Sequence, residues 1–123
     1  MTLLLVVAGA FVGAPARYLT DLYVQRRHDS RLPWGTITVN VVGSAVLGAV
    51  MGLGSGGGAP GWLQPLVGTG FCGALTTFST FSFETVRLVE DGEGVAALLN
   101  VLVSVAAGAV ACLAAYALVA ALA

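Results

Sequence analysis

Charge is scarce in this chain. Only 9% of its 123 residues are charged, and lysine is absent altogether. A soluble domain carries about a quarter charged residues, so this composition excludes a water-soluble globular protein. The net charge of −1 excludes a general basic surface for nucleic acid. Histidine occurs once, as His28, in a charged loop beside Arg26, Arg27 and Asp29, where a solvated side chain is the default. The two cysteines, Cys72 and Cys112, each lie inside an apolar block. They suit buried free thiols acting as small hydrophobes rather than a disulfide or a metal pair. With no cluster of histidine, cysteine and carboxylate anywhere, a transition-metal site or hydrolytic triad has no material to be built from.

What is present is apolar: 58% of residues are hydrophobic and the mean hydropathy is +0.95. About 20 apolar residues cross a bilayer, and four such stretches fill the chain. The expected fold is all-α and membrane-embedded, a single transmembrane domain over 1–123 with spans at roughly 3–24, 34–53, 62–89 and 95–122. A soluble catalytic domain has no room. An Ala-Gly-Ala sequence around Gly9 imitates a signal-peptide cleavage site, but no basic region precedes it. Arg17 and the continuing hydrophobic residues also argue against removal.

The first span holds Gly9 and Gly13, a GxxxG spacing that lets another helix backbone approach closely. Arg17 and Asp21 follow four apart, placed to pair on one helix face. Charged residues this near the hydrocarbon are functional candidates, with a snorkelling interfacial pair as the plainer alternative. After the charged loop, Pro33-Trp34 opens the second span, with Trp34 placed as an interfacial anchor. Thr36, Asn40 and Ser44 then recur every fourth residue as a polar stripe. Threonine and serine can bond back to the preceding turn; Asn40 cannot do so easily and suits either helix–helix glue or solute contact. Gly48 and Gly52 repeat the GxxxG spacing.

A charge-free link, Gly54 to Gly61, leads to the third span. There the thirteen residues Gly70-Phe-Cys-Gly-Ala-Leu-Thr-Thr-Phe-Ser-Thr-Phe-Ser82 collect small residues, five hydroxyls and the pair Phe78 and Phe81. Glycine and clustered hydroxyls weaken a helix, yet in lipid every backbone polar group needs a partner. The third helix is therefore expected to break between Gly73 and Thr77, where protein or an aqueous cavity surrounds it. Beyond the break Phe78 and Phe81 share a face with Ser79, Thr80 and Ser82 alongside, and Glu84 and Arg87 follow. The last span carries a second polar stripe, Asn100, Ser104 and Gly108. Two stripes and a broken hydroxyl-rich helix suit a narrow polar track. Its hydroxyl and amide donors, with the positive rims of phenyl rings, lean toward a small, strongly hydrogen-bonding anion. Carbonyls freed at a helix break also suit a hard cation.

These residues resemble the Fluc/CrcB fluoride channels along almost the whole chain. The match runs through Gly13-Ala-Pro-Ala-Arg-Tyr18 and Pro33-Trp-Gly-Thr-Ile-Thr-Val-Asn-Val-Val-Gly43. It continues through Gly70 to Phe81, Glu84, and Asn100 to Ser104. Thr-Thr-Phe-Ser-Thr-Phe is its most specific part. The resemblance implies a cell-membrane channel that passively exports cytoplasmic fluoride, built as a dimer of antiparallel subunits. Phe78, Phe81, Asn40, Ser79, Thr80, Thr36, Asn100 and Ser104 would line the fluoride path. Backbone carbonyls of Gly73 and Thr76 would hold a structural sodium ion at the dimer centre, and Arg17 and Glu84 would be structural charges. Gly73-Ala74 stands where members often have Gly-Gly, and Asn100 where many have tyrosine. Gly73→Val is expected to damage the sodium site through the stiffness of a β-branched residue.

A proton-coupled exporter of the small multidrug class is the nearest alternative, and Glu84 is the only carboxylate placed to serve it. Arg87, three residues on, suits a structural pairing with Glu84 instead. A purely structural subunit would account for the glycine pairs but not for the polar stripes. All five arginines, Arg17, Arg26, Arg27, Arg31 and Arg87, fall on the side of the first and third connections. The positive-inside rule then expects both termini outside. The partner subunit is then either identical or a related homologue of opposite topology; charge alone leaves both open.

Overall fold

The computed structural model describes residues 2–27 and 32–122. His28, Asp29 and Arg31 of the charged loop lie outside them. Among the described residues every regular element is helical: α1 (Thr2–Arg27), α2 (Trp34–Ser55), a π-helical segment π1 (Gln64–Cys72), a single turn α3 (Gly73–Leu75), α4 (Phe78–Glu90) and α5 (Gly94–Leu122). π1, α3 and α4 together make the third of four stretches long and apolar enough to cross a membrane.

Glycine pairs decide which helices touch. A Cβ at Gly9 would strike the Leu66 carbonyl oxygen, and one at Gly13 the Phe71 carbonyl oxygen, so α1 lies directly on π1. Gly48 and Gly52 stand in the same relation to the Cys112 and Tyr116 carbonyls, and α2 lies on α5. Both GxxxG spacings are thus consumed inside the chain itself. Without a hydrophobic drive between helices in lipid, such backbone approach is a main source of packing energy.

π1 begins with Gln64-Pro65 and buries Gly68, Gly70 and Cys72. Its wider turn aligns residues five apart, and Thr69 Oγ1 donates to Gln64 Oε1 at 3.0 Å. The break expected between Gly73 and Thr77 falls at Thr76 and Thr77, both extended, with ψ of 157° and 119°. Two turns need glycine's left-handed freedom, Gly57 (φ 74°) in the link and Gly92 (φ 78°) between α4 and α5.

The buried apolar core is small, with Ile37, Val39, Val50, Leu75, Leu88 and Ala97 at its centre. Large apolar side chains instead cover the outside, among them Phe11 at 81% and Leu3 at 74% exposure. In water such a surface would aggregate; in a bilayer it is solvated. The chain is a multi-pass membrane protein.

Candidate functional site

The helix break is held by one side chain. Asn40, in the second turn of α2, accepts the Thr77 N–H at 2.8 Å and donates to the Thr77 carbonyl at 3.2 Å. A polar group stranded in lipid is costly, and this amide satisfies both polar groups of an extended residue. Thr77 then caps α4: its Oγ1 accepts the Thr80 N–H at 3.2 Å and donates to Thr80 Oγ1 at 3.0 Å. Threonine is a favoured N-cap because its oxygen replaces the carbonyl that the first turn lacks.

Two carbonyls are released by this arrangement. In a continuous helix the Thr77 N–H would serve Gly73 and the Thr80 N–H would serve Thr76. Here those donors go to Asn40 and to Thr77 Oγ1. Thr76 makes its own bonds backward, its N–H and Oγ1 each donating to the Cys72 carbonyl at 2.9 Å. Gly73 is exposed, with nothing within 4 Å of where a Cβ would stand. Its conformation is ordinary right-handed helix (φ −62°, ψ −36°). The backbone stiffness expected to make Gly73→Val damaging is therefore not at issue in this conformation, and the added bulk meets no atom of this chain.

A cavity of about 530 Å³ opens at this break, on the surface of the chain. Asn40 and Ser44 reach it from α2, Gly73 and Thr76 from the break, Phe78 and Phe81 from α4, and Ser104 from α5. The two phenyl centroids lie 6.0 Å apart with planes inclined at 43°. Phe78 is 79% exposed, while Phe81 is half-buried. Ser79 is exposed, its Oγ 3.4 Å from Thr77 Oγ1.

Other sequence-derived candidates gather elsewhere. Asn100 is fully buried, donating to Thr85 Oγ1 at 2.8 Å and accepting from Ser104 Oγ at 3.3 Å. It ties α5 to α4 and supports Ser104 from behind. Thr36 of α2, 2% exposed, lies beside Glu84 of α4. Glu84 thus has Thr36 as its neighbour on another helix, where the sequence suggested Arg87. It lies near Asp21, and Glu84 Oε1 and Asp21 Oδ1 are both buried without a hydrogen-bond partner. Asp21 packs that oxygen against Gly35 rather than turning it outward to Arg17. Glu84, Arg87, Thr80 and Gln25 border a second cavity of about 330 Å³. Both cysteines are free thiols, and Cys72 lines the larger cavity.

Sequence reasoning left three contributors off the list of site residues. Ser44 was already visible on the α2 polar stripe, and Thr77 in the hydroxyl cluster. Thr85 carried no pattern of its own, since its role depends on Asn100 fifteen residues away.

Known proteins match this chain over nearly its whole length. The family model described as CrcB-like protein, Camphor Resistance (CrcB), matches residues 4–116. The chain is 58% identical over 108 residues to the fluoride-specific ion channel FluC 1 of Streptomyces avermitilis, covering 88% of this chain and 87% of that one. It is 56% identical over 112 residues to the protein of the same name from Frankia casuarinae, covering 87% of each. A fluoride-specific ion channel FluC from a Shewanella species is 43% identical over 101 residues, covering 82% of each. With matches this extensive joined to a broken third helix that carries the Thr-Thr-Phe-Ser-Thr-Phe core, the chain belongs to the CrcB family.

Proposed function

We propose that this chain is the subunit of a fluoride channel that lets cytoplasmic fluoride leave the cell passively. The observation that carries this is the cavity at the helix break. It gathers Phe78, Phe81, Asn40, Ser44 and Ser104 along one wall. Ring edges and polar hydrogens suit a small anion without an arginine in the track. The similarity to proteins named fluoride-specific ion channels supports the choice of anion. Ion trapping gives the direction. Neutral HF enters and dissociates, and the inside-negative potential favours exit of the anion by about 2.3 kcal/mol per 100 mV. Neither catalytic residues nor an energy-coupling site is required.

The channel works as a dimer in this proposal. A cavity that includes exposed Phe78 and Gly73 is completed only by a second subunit, identical or a homologue of opposite topology. The carbonyls of Gly73 and Thr76, deprived of their helical donors, fit a structural sodium ion at that interface. Sodium would supply the positive charge that two subunits' carbonyl oxygens need in order to meet. Asn40 and the Thr77 cap keep those carbonyls released.

Purified protein in liposomes decides the matter. Fluoride efflux far above chloride efflux, without a proton gradient, is expected. Efflux that depends on a proton gradient, or no preference for fluoride, would overturn the channel.

A further inference from the structure

The last two turns of α1 form a graded surface away from the cavity just described. Leu19, Leu22, Tyr23, Arg26 and Arg27 recur at helical spacing on one face, and with Thr20 they border a groove of about 750 Å³. Leu19 is 61% and Tyr23 59% exposed, and the Arg27 guanidinium lies 4.6 Å from the Tyr23 ring centroid. This contact fixes the arginine beside an interfacial tyrosine. Among the described residues, every charge on the groove is positive, and the other polar groups are hydroxyls. Asp21, the nearest acid along the helix, turns an oxygen into Gly35 of α2 instead. Residues 26–31 hold three arginines against one aspartate.

We propose that this face binds an anionic phospholipid of the adjoining leaflet. Arg26 and Arg27 would take the phosphate, Tyr23 and Thr20 the glycerol region, and Leu19 and Leu22 the upper acyl chain. Guanidinium forks match phosphate geometry, and the apolar floor selects a lipid over a free phosphate. Positive-inside orientation puts this end in the cytoplasmic leaflet, where anionic lipid attracts juxtamembrane arginines. A helix C-terminus also attracts arginine through its dipole. That explains the two cations but not the tyrosine contact or the apolar groove.

Native mass spectrometry of the protein released from bilayers of equal phosphatidylglycerol and phosphatidylcholine tests this. Wild-type protein should retain phosphatidylglycerol preferentially, and soluble glycerol phosphate should not displace it. Arg26→Gln with Arg27→Gln should lower the preference by roughly tenfold. Tyr23→Leu should weaken it. Equal retention of both lipids by the wild type, or an undiminished preference in the double variant, would overturn the proposal. Displacement by glycerol phosphate would do the same. The wild-type comparison stands even if removing arginines disturbs insertion.

Discussion

At Phe78 and Phe81 the chemical group at stake is the ring edge. Replacing either with isoleucine keeps comparable apolar volume and removes the positive rim. We expect fluoride efflux from liposomes to fall by an order of magnitude or more, with the protein still eluting as a folded species. Wild-type efflux from both variants would reject ring-edge coordination. Asn40 poses a separate question, since it both lines the cavity and clamps Thr77. Asn40→Leu strands the Thr77 N–H and carbonyl, each a loss of about 1–3 kcal/mol when buried. A clear drop in thermal stability in detergent is the expected outcome. Unchanged stability would mean that the clamp does not hold the break. The sequence left Asn40 open between glue and solute contact; its two bonds to Thr77 place it as glue, and efflux from Asn40 variants tests the solute contact.

Among the elements, glycines fall into two kinds that sequence spacing does not separate. Gly48 presses on the α5 backbone, whereas Gly73 faces outward. Gly48→Val should drive α2 and α5 apart and destabilise the subunit itself, by about 1–3 kcal/mol on the scale of overpacked cores. Gly73→Val should leave the isolated subunit's thermal unfolding unchanged and weaken dimerisation. A subunit that melts early with Gly73→Val, or a dimer indifferent to it, would count against a second subunit at this surface. Replacing sodium with a large organic cation should likewise weaken the dimer. Both readouts follow the carbonyls of Gly73 and Thr76 rather than their side chains.

Among the described residues, three of the arginines gather at one end of the molecule. Arg26 and Arg27 close α1, and Arg87 lies in the last turn of α4. With helices crossing in alternate directions, those ends share one side of the membrane, opposite both termini. A subunit expressed alone should therefore insert mainly with its termini outside. A reporter fused to the C-terminus should give a strong external signal and a weak cytoplasmic one. Equal signals, together with fluoride efflux from the single purified protein, would instead establish a dual-topology homodimer.

Composition by itself determined the class of solvent: a chain this poor in charge has to live in lipid, and its length allows four crossings. Local chemistry also made the break legible, because glycine and clustered hydroxyls weaken a helix near Thr76 and Thr77, the two extended residues, and Thr77 is a natural cap. The motif Thr-Thr-Phe-Ser-Thr-Phe pointed to the family before any helix was placed. Tertiary structure decided the partners. The same four-residue spacing put Asn40 on the break and Asn100 in a buried bond to Thr85, and nothing local distinguishes the two amides. Glu84 came to lie beside Thr36, rather than paired with its sequence neighbour Arg87, because α2 and α4 touch. Hydrogen bonds between helices depend on rotation and depth in the bundle, which packing sets and one-dimensional spacing does not contain.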